Sequence, residues 1–590
     1  MSKMEDELKE KLLSDLNESQ KSTVEDCGNN LYITACPGSG KTRALTRKIA
    51  YLHNLYPNSM KKIVAITYTG RAAEEIQERL EILGIDSDNV WVGTVHQFCL
   101  NFILKPFSWQ SLRISRGIRI IDEYVTEKYL KECAANLKLK YDYRNKPNLK
   151  LTSEAEFLET DENNLKLAKA YHRKLKRNNE IDFELILTLS LSILLRNPES
   201  CLMLSRTIRS IYVDEFQDTT EEQYRILSAL SNSNHDIKYM FVGDADQAIY
   251  TGLGGVVKTK TDLEEIMPIK FLEKTLDGCY RSTQDIIDYY SKYQQQPIRI
   301  ISKAEWCSEF SIIRYNDEVS KDELPEKISD VIRQELDRGV KEEDICIASP
   351  NYFILFPLIK ELKMLLPDVN FRSQDIYPIK PDDLNLFYKI SFIVFTTVGK
   401  RVWLRKKIAS EIIDILKNDY GIRFDDNFTA LDLLDLLNSF SSSKNNGLEY
   451  LKDFVYQLFI ELNIDEDNSV ELCRSMREFF NKAQERIENN DIGVELENFR
   501  NAYDVKRGVN VSTIHKIKGE EYNTVIGIGL LKGYIPNWNN VIHDQDHGKC
   551  EAKKTLYVLM SRAKKSLYLF SETGRVTASK NDLVPTEFLV

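Results

Sequence analysis

Paired cysteines and long apolar runs are both missing from this sequence. Its ten cysteines are scattered over 590 residues without a CxxC pair, a distribution that predicts neither a disulfide framework nor a structural zinc site. No apolar run approaches the roughly 20 residues that a membrane span needs. The acidic N-terminus, MSKMEDELKE, lacks the basic start and apolar centre of a signal peptide. We therefore expect a cytoplasmic protein that does not insert into a membrane.

An excess of positive charge is missing too, since 80 Lys and Arg residues face 90 Asp and Glu residues and the net charge is −10. Such a balance opposes nonspecific coating of nucleic acid, although it permits a groove with local positive charge. Residues 137–150 and 171–179 are locally basic, and the first stretch places Tyr141 and Tyr143 among lysines. Aromatic and basic side chains in this mixture contact bases and phosphates, but a solvated helix face explains both stretches more simply.

The stretch ITACPGSGKTRAL, residues 33–45, has the features of a phosphate-binding loop. Strand-forming residues precede it, and apolar residues at helical spacing follow it. It fits the pattern GxxxxGK[ST], with Ala35 as a small residue in the first position. Glycines let backbone N–H groups converge on phosphate oxygens, Lys41 can reach the β and γ phosphates, and Thr42 can ligate Mg²⁺. The predicted nucleotide-binding residues of this loop are Pro37, Gly38, Ser39, Gly40, Lys41, Thr42 and Arg43.

Two further strands are predicted to end in polar residues. In SIYVDEFQDTTEEQ, a strand over residues 211–213 ends in Asp214 and Glu215. Asp214 can complete a Mg²⁺ coordination shell, and Glu215 can orient and deprotonate an attacking water. In YMFVGDADQAIY, a strand over residues 239–242 is followed by Gln247, which is placed to sense a phosphate. Polar strand ends of this kind predict a parallel sheet with its site at the carboxyl edge.

These elements and several others resemble, in order along most of the chain, the motifs of superfamily 1A DNA helicases of the UvrD/Rep/PcrA type. LNESQKSTVE is similar to the Q motif, AITYTGRAAEEIQERL to motif Ia and VGTVHQFCLNFIL to motif Ib. IDFELIL resembles the segment before motif II, and DEFQD is typical of motif II itself. LDGCYRSTQDII, VNVSTIHKIKGEEYNTVIGIGL and LYVLMSRAKKSLYLF are similar to motifs IV, V and VI.

The resemblance implies roles for residues outside the phosphate loop. Gln20 would read adenine, and Glu521 of motif V would also lie at the nucleotide. Arg281 would lie near the γ phosphate, Arg562 would be the arginine finger, and both would act with Glu215 and Gln247. The residues implied to contact DNA are Thr67, Tyr68, Thr69, Thr94, His96, Tyr250, Thr513 and His515. Taken singly, either arginine is more simply explained by a surface ion pair, and Tyr68 and Tyr250 are more simply explained by half-buried structural positions. A structural role explains His96 and His515 equally well.

The resemblance also implies an α/β fold of two RecA-like P-loop NTPase domains, each a parallel sheet flanked by helices, with mainly helical insertions. The implied segments are core 1A (residues 1–100 and 201–280), insertion 1B (101–200), core 2A (281–378 and 505–590) and a shortened insertion 2B (379–504). A cleft between the two cores would bring Arg281 and Arg562 to Lys41, so that closure would depend on ATP.

One departure from the family pattern lies in motif III. There the family usually continues past its tyrosine with Gly-Trp-Arg-Gly, whereas this chain has Gly252 and Leu253 where the tryptophan and arginine are expected. The tryptophan normally stacks on a base. Its absence affects the expectation of efficient unwinding more than that of ATP hydrolysis.

The sequence therefore predicts an ATP-dependent DNA translocase or helicase that uses ATP and Mg²⁺ and moves 3′ to 5′ on single-stranded or tailed duplex DNA, the direction being implied by the resemblance alone. An alternative is a DNA-stimulated regulatory ATPase that accompanies a separate nuclease, as in antiphage systems of the Gabija type. Repair and defence both stay open. A nucleotide-binding module without turnover is a third interpretation, against which the presence of Glu215 argues.

Overall fold

Two six-stranded parallel sheets form the centre of the computed structural model. The structure describes residues 10–85, 89–142, 145–250, 254–373, 377–382, 385–399, 401–465, 469–489, 492–503, 508–538, 544–577 and 579–589. Gly252 and Leu253 of motif III, and Tyr143 of the first basic stretch, lie outside these residues.

The strands of the described residues are β1 (Asn30–Ala35), β2 (Lys62–Thr67), β3 (Val90–Thr94), β4 (Arg119–Ile120), β5 (Glu180–Ile181), β6 (Ile208–Asp214), β7 (Lys238–Gly243), β8 (Phe271–Leu276), β9 (Gly278–Cys279), β10 (Ile301–Ser302), β11 (Ile312–Asn316), β12 (Ile345–Ser349), β13 (Phe371–Arg372), β14 (Val509–Thr513), β15 (Tyr522–Gly527) and β16 (Ala563–Phe570). The α-helices are Glu18–Glu25, Lys41–Leu55, Gly70–Ile82, Val95–Phe98, Lys105–Phe107, Glu123–Asn136, Glu162–Asn178, Phe183–Arg196, Pro198–Arg206, Glu221–Ser233, Lys260–Ile266, Gln284–Ser291, Leu324–Asp337, Tyr352–Leu365, Leu386–Phe395, Val402–Asn418, Ala430–Ser439, Gly447–Glu461, Val470–Asn489, Leu496–Tyr503 and Gln545–Met560.

The first sheet has the order β3-β2-β6-β7-β1-β8, and all its neighbouring strands are parallel. β1, β6 and β7 are buried along nearly their whole length, as expected for strands covered by helices on both faces. The strand predicted to precede the phosphate loop and those predicted over residues 211–213 and 239–242 are therefore confirmed. Their carboxyl ends lie side by side, which brings the phosphate loop beside Asp214 and Asp244.

The second sheet has the order β11-β16-β15-β12-β14-β13 and is also parallel throughout. Its core consists mainly of isoleucine, leucine and valine from the strands and from helices Leu324–Asp337 and Tyr352–Leu365. The predicted fold class, two parallel sheets flanked by helices with mainly helical insertions, is confirmed.

The insertion between β13 and β14 has a hydrophobic core of its own. Every buried member of that core lies within residues 379–503, from Ile379 to Tyr503. The helices before β6 are organised differently, since Phe183–Arg196 and Pro198–Arg206 belong to the same buried cluster as strands of the first sheet. The five domain boundaries given above stay predictions.

The described residues contain no single helix with the length and apolar character of a membrane span. One pair of helices, Phe183–Arg196 and Pro198–Arg206, meets those criteria jointly but is bent by 103°. Eight residues of the first of these helices are buried within the protein.

We expect Leu458→Ala to lower the free energy of unfolding of the 379–503 insertion by about 2–5 kcal/mol, because it leaves a cavity in a separate core. Leu458 is fully buried, whereas Ile460 on the same helix is 72% exposed. Ile460→Ala is therefore the matched control and should change stability by no more than about 0.5 kcal/mol. Urea unfolding of both variants measures the difference; equal losses would contradict the burial argument.

Candidate active site

The phosphate loop joins β1 to helix Lys41–Leu55 and contains two glycines in the left-handed region. Gly38 has φ +72° and Gly40 has φ +76°. A Cβ on Gly38 would lie 2.6 Å from the Cβ of Arg281, and one on Gly40 would lie 2.7 Å from Nε2 of Gln20. Ser39 Oγ is buried and has no hydrogen-bond partner within the described chain. An open backbone, an unused hydroxyl and an adjacent helix N-terminus fit a phosphate group well.

Lys41 and Glu215 form an ion pair of 3.1 Å at the carboxyl edge of the first sheet. Burial opposes ionisation of Glu215, but the ammonium groups of Lys41 and Lys518 outweigh it and hold the pKa of Glu215 below its usual range. Burial and the neighbouring charge of Glu215 raise the pKa of Asp214. A divalent cation would relieve this crowding of carboxylates, so Asp214 and Thr42 fit a role as Mg²⁺ ligands.

Glu215 adopts an unusual backbone conformation for a residue with a side chain. Its φ of +52° and ψ of +49° lie in the left-handed region, which non-glycine residues occupy at a cost of about 1–2 kcal/mol. Strain of this kind is concentrated at functional sites, where the surrounding structure holds it in place. The conformation turns the chain sharply after β6, so that Glu215 faces Lys41.

A chain of side-chain hydrogen bonds leads from Glu215 toward the second sheet. Gln217 donates to Glu215, and its Oε1 accepts from the backbone N–H of Asp244 at 3.1 Å. Gln247 Nε2 donates to Asp244 at 2.6 Å, and Gln247 Oε1 accepts from Arg562 Nη2 at 2.8 Å. Sequence reasoning missed the linking roles of Gln217 and Asp244, although both lie inside the quoted motifs.

Arg562 is a buried cation whose hydrogen bonds all go to neutral acceptors in the described structure. Its side chain donates to the backbone oxygens of Val558 and Glu520 and to Ser561 Oγ, besides Gln247. Burial and the nearby charge of Arg281 lower the pKa of Arg562 to about 9, so it remains a cation at neutral pH. The charges of Glu215 and Asp244 favour the cation, but neither carboxylate forms a hydrogen bond with it in the described structure. A phosphate group in direct contact would therefore compensate the cost of burial further.

Arg281 differs from Arg562 because a carboxylate already pairs with it. Its Nε lies 3.0 Å from Glu521, and its Nη1 donates to the backbone oxygen of Ser561 at 2.9 Å. Lys564 also pairs with Glu521, at 2.9 Å. Glu521, predicted to lie at the nucleotide, therefore contacts the arginine that would sense the nucleotide.

Gln20 contacts the phosphate loop through its side-chain amide. Its Nε2 donates to the backbone oxygen of Ser39 at 2.9 Å, and its Oε1 accepts from the backbone N–H of Asn17 at 3.1 Å. The second N–H of this amide has no partner among the described residues, as the predicted contact with adenine would require. Sequence reasoning missed Tyr280, which accepts a 2.7 Å hydrogen bond from Asn17 and precedes Arg281 in motif IV. Arg43 is turned toward Asp15 in an ion pair.

The structure brings together some of the residues predicted to contact DNA. Tyr68 and Tyr250 stack with ring centroids 4.9 Å apart, and the Tyr250 hydroxyl donates to the backbone oxygen of His515 at 2.7 Å. Thr69 and Thr94 cap the helices that follow them, so their hydroxyl oxygens accept from backbone N–H groups while the hydroxyl hydrogens remain able to donate. A base would have to separate the two tyrosine rings in order to stack between them.

Three other residues predicted to contact DNA each have a different neighbour within the protein. Thr67 donates to the backbone oxygen of Thr69 at 2.9 Å. His96 packs edge-on against Phe183 at 5.6 Å, and burial lowers its pKa to about 4, so the imidazole is neutral. Thr513 ends β14, opposite Ser349 at the end of β12. The buried Oγ of Ser349 has no partner among the described residues, a signal that sequence reasoning missed.

The basic stretches are only partly neutralised. Lys146 pairs with Glu127 at 3.1 Å, and Lys150 pairs with Glu184 at 3.5 Å. On helix Glu162–Asn178, the exposed basic residues without a carboxylate partner in the described chain are Lys169, Arg173, Lys176 and Arg177. The stretch at 171–179 thus combines buried core positions with a solvated basic face.

Comparisons with family models and with individual proteins find similarity to the same group of helicases. Residues 16–267 match the family model of the UvrD/REP helicase N-terminal domain, and residues 391–573 match that of the UvrD-like helicase C-terminal domain. The ATP-dependent DNA helicase PcrA of Staphylococcus epidermidis is 24% identical, over 98% of this chain and 86% of the relative. The protein of the same description from Staphylococcus aureus is 25% identical with the same coverage of both chains.

We expect Gly38→Ala to weaken nucleotide binding by about tenfold or more, because the added Cβ would collide with Arg281 and narrow the phosphate cradle. Gly84→Ala is the matched control, since Gly84 also has a positive φ, +75°, but nothing lies within 4 Å of its added Cβ. Backbone strain should cost each variant about 1 kcal/mol of stability, and the collision adds to the loss in Gly38→Ala. Titration with a fluorescent ATP analogue distinguishes them; equal affinities would contradict the steric argument.

We expect His96→Gln to reduce the loss of stability on mild acidification. The folded-state pKa of about 4 lies below the unfolded value near 6.5, so the unfolded state binds the proton more readily between these values. The wild-type protein therefore loses stability as the pH falls from 6.5 toward 4, and the variant lacks that contribution. Thermal melts at pH 7.5 and 5 measure the difference, with the exposed His547→Gln as control. Identical pH dependence of wild type and His96→Gln would refute a neutral, half-buried His96.

Proposed function

Because the chain belongs to the UvrD/Rep/PcrA type of superfamily 1A helicases, we propose that it is an ATP-dependent DNA helicase that moves 3′ to 5′ along single-stranded DNA. The observation that best supports hydrolysis linked to movement is the hydrogen-bonded chain from Glu215 to Arg562. This chain joins Glu215, the ion-pair partner of Lys41 at the first sheet, to the buried cation Arg562 at the second sheet. A nucleotide between them would change how the two sheets contact each other.

In the proposed reaction, the phosphate loop and Lys41 hold the triphosphate of ATP. Thr42 and Asp214 would hold Mg²⁺, which neutralises charge on the phosphate oxygens. Glu215, ionised at neutral pH, orients and deprotonates the attacking water once Lys41 turns from Glu215 to the phosphates. Gln247 contacts the γ phosphate and holds the water in line with it.

Arg562 and Arg281 would stabilise the charge that develops on the transferred phosphoryl group. Arg562 is already desolvated and hydrogen-bonds only to neutral acceptors among the described residues, so its field acts strongly on a phosphate. Arg281 must share its charge with Glu521, so we propose a positioning role for the pair Arg281 and Glu521 alongside direct contact.

Movement along DNA would follow from alternate closure and opening of cores 1A and 2A, with the boundaries predicted from sequence. Tyr68 and Tyr250 lie on the 1A side of this track, while Thr513 and His515 lie on the 2A side. Bases stack on aromatic rings with about 1–3 kcal/mol each, independent of sequence. A change in the separation of the cores thus changes the spacing between base contacts.

A second candidate function is a DNA-stimulated regulatory ATPase that works with a nuclease in antiphage defence. Two sequence observations favour it: the short insertion over 379–504, and Gly252 and Leu253 in place of the usual tryptophan and arginine. Under this candidate, hydrolysis is retained while autonomous unwinding is weak.

One experiment tests both candidates. We expect single-stranded DNA to stimulate steady-state ATP hydrolysis, and we expect Lys41→Ala and Glu215→Gln each to reduce kcat by about 10²-fold or more, since each removes a group acting on the phosphates or the water. Glu215→Gln should still bind ATP. Hydrolysis and unwinding of 3′-tailed and 5′-tailed duplexes are measured in one buffer of stated salt, because phosphate contacts are salt-dependent.

The possible results of this experiment distinguish the two candidate functions. Unwinding of the 3′-tailed duplex alone supports the proposed helicase and its direction. Hydrolysis without unwinding of either duplex favours the regulatory ATPase, and a lack of hydrolysis contradicts both.

A further inference from the structure

Gln247 is held at two points by the second core. Its side-chain oxygen accepts from Arg562, and its backbone oxygen accepts from Lys518 Nζ at 2.5 Å. Lys518 lies in the loop between β14 and β15 and Arg562 directly precedes β16, all strands of the second sheet, whereas Gln247 follows β7 of the first. Any shift of one core against the other therefore changes the position of the residue proposed to contact the γ phosphate.

Lys518 also forms a buried ion pair with the other core. Its ammonium nitrogen lies 2.8 and 2.6 Å from the two carboxylate oxygens of Asp218, and the two residues are 300 positions apart. The side chains of Lys518 and Asp218 are only 7% and 2% exposed. Asp218 belongs to the short helix directly after Glu215. The geometry of this ion pair is therefore linked to the carboxylate proposed to activate water.

The same ammonium group lies next to the proposed DNA contacts. It is 5.1 Å from the ring centroid of Tyr250, whose hydroxyl donates to the backbone oxygen of His515. His515 and Lys518 lie on the same loop between β14 and β15. A base that displaces the Tyr250 ring must alter this hydrogen bond, and with it the loop that holds Lys518.

We propose that Lys518 is a positioning residue that transmits the arrangement of Tyr250 and His515 to Gln247, and so couples DNA binding to ATP hydrolysis. The inference rests on the proposed function and goes beyond it by naming the link between its two sites. All three N–H groups of Lys518 are accounted for by Asp218 and the Gln247 backbone, so the ammonium cannot move without moving them. An ion pair that served only to hold the cores together would not transmit DNA binding to Gln247 in this way.

The test compares kcat and KM for ATP, with and without single-stranded DNA, in wild type and Lys518→Met. We expect the ratio of DNA-stimulated to DNA-free kcat to fall by about tenfold or more, the size of a typical coupling between sites. The dissociation constant for single-stranded DNA without nucleotide should stay close to the wild-type value. Asp218→Asn should lower the ratio in the same way, and the double variant no further, because the pair acts as one unit.

Arg71→Met is the matched control, since Arg71 forms an ion pair with Glu520, two residues from Lys518, that also joins the two cores but is partly exposed. Its stimulation ratio should stay near wild type. Equal loss in Arg71→Met and Lys518→Met would indicate general loosening of the cores and overturn the inference, as would a wild-type ratio in Lys518→Met. If Lys518→Met shows no cooperative melt, Lys518→Arg serves instead, with a partial loss expected and an unchanged ratio overturning the inference. A wild-type protein without DNA stimulation would overturn the proposed function itself.

Discussion

The burial of two cations, Lys41 and Arg562, is the physical constraint on which the rest of the structure depends. Water solvates neither side chain well, and the cost of removing a cation from water is several kcal/mol or more unless other charges compensate it. Lys41 is compensated by Glu215 and, at longer range, by Asp214 and Asp244. Arg562 has only neutral acceptors in the described structure. The charges of Glu215 and Asp244 act on Arg562 as well, but neither forms a hydrogen bond with it in the described structure. A triphosphate between the two cations would place an anion in direct contact with both.

This constraint explains why neither sheet suffices alone. The first sheet contributes the phosphate loop, the carboxylates and Gln247, while the second contributes Arg562 and Lys518. The first sheet presents its groups at its carboxyl edge, where parallel strands place the ends of successive β-α connections together. In the second sheet, Arg562 directly precedes β16 and Lys518 lies in the loop from β14 to β15. The glycines of the phosphate loop allow Arg281 and Gln20 to approach the backbone closely. Both cores therefore contribute charged groups to a single site.

The sequence was sufficient to predict the features that depend on local pattern. Residue spacing predicts the apolar strands that precede the phosphate loop, Asp214 and Gln247. The family motifs imply the fold class with two parallel sheets. Contacts between residues hundreds of positions apart could not be predicted, because spacing within a motif contains no information on its partner. The ion pair of Lys518 with Asp218 is one example, and the engagement of Arg281 by Glu521 is another. The neutral state of His96 also depends on burial, which one sequence does not reveal. The roles assigned to individual site residues stay predictions.

The insertion over residues 379–503 leaves and re-enters the second sheet at neighbouring points. β13 and β14 pair directly, Phe371 beside Val509, and the backbone N–H of Val509 donates to the oxygen of Asn370 at 2.8 Å. The two attachment points are therefore fixed by the sheet, while the core between them is self-contained. Evolution can lengthen, shorten or replace such a module without altering the strands that support the nucleotide site. Changes of length inside this module should therefore be tolerated more easily than changes inside the two sheets, whose strands position the candidate site.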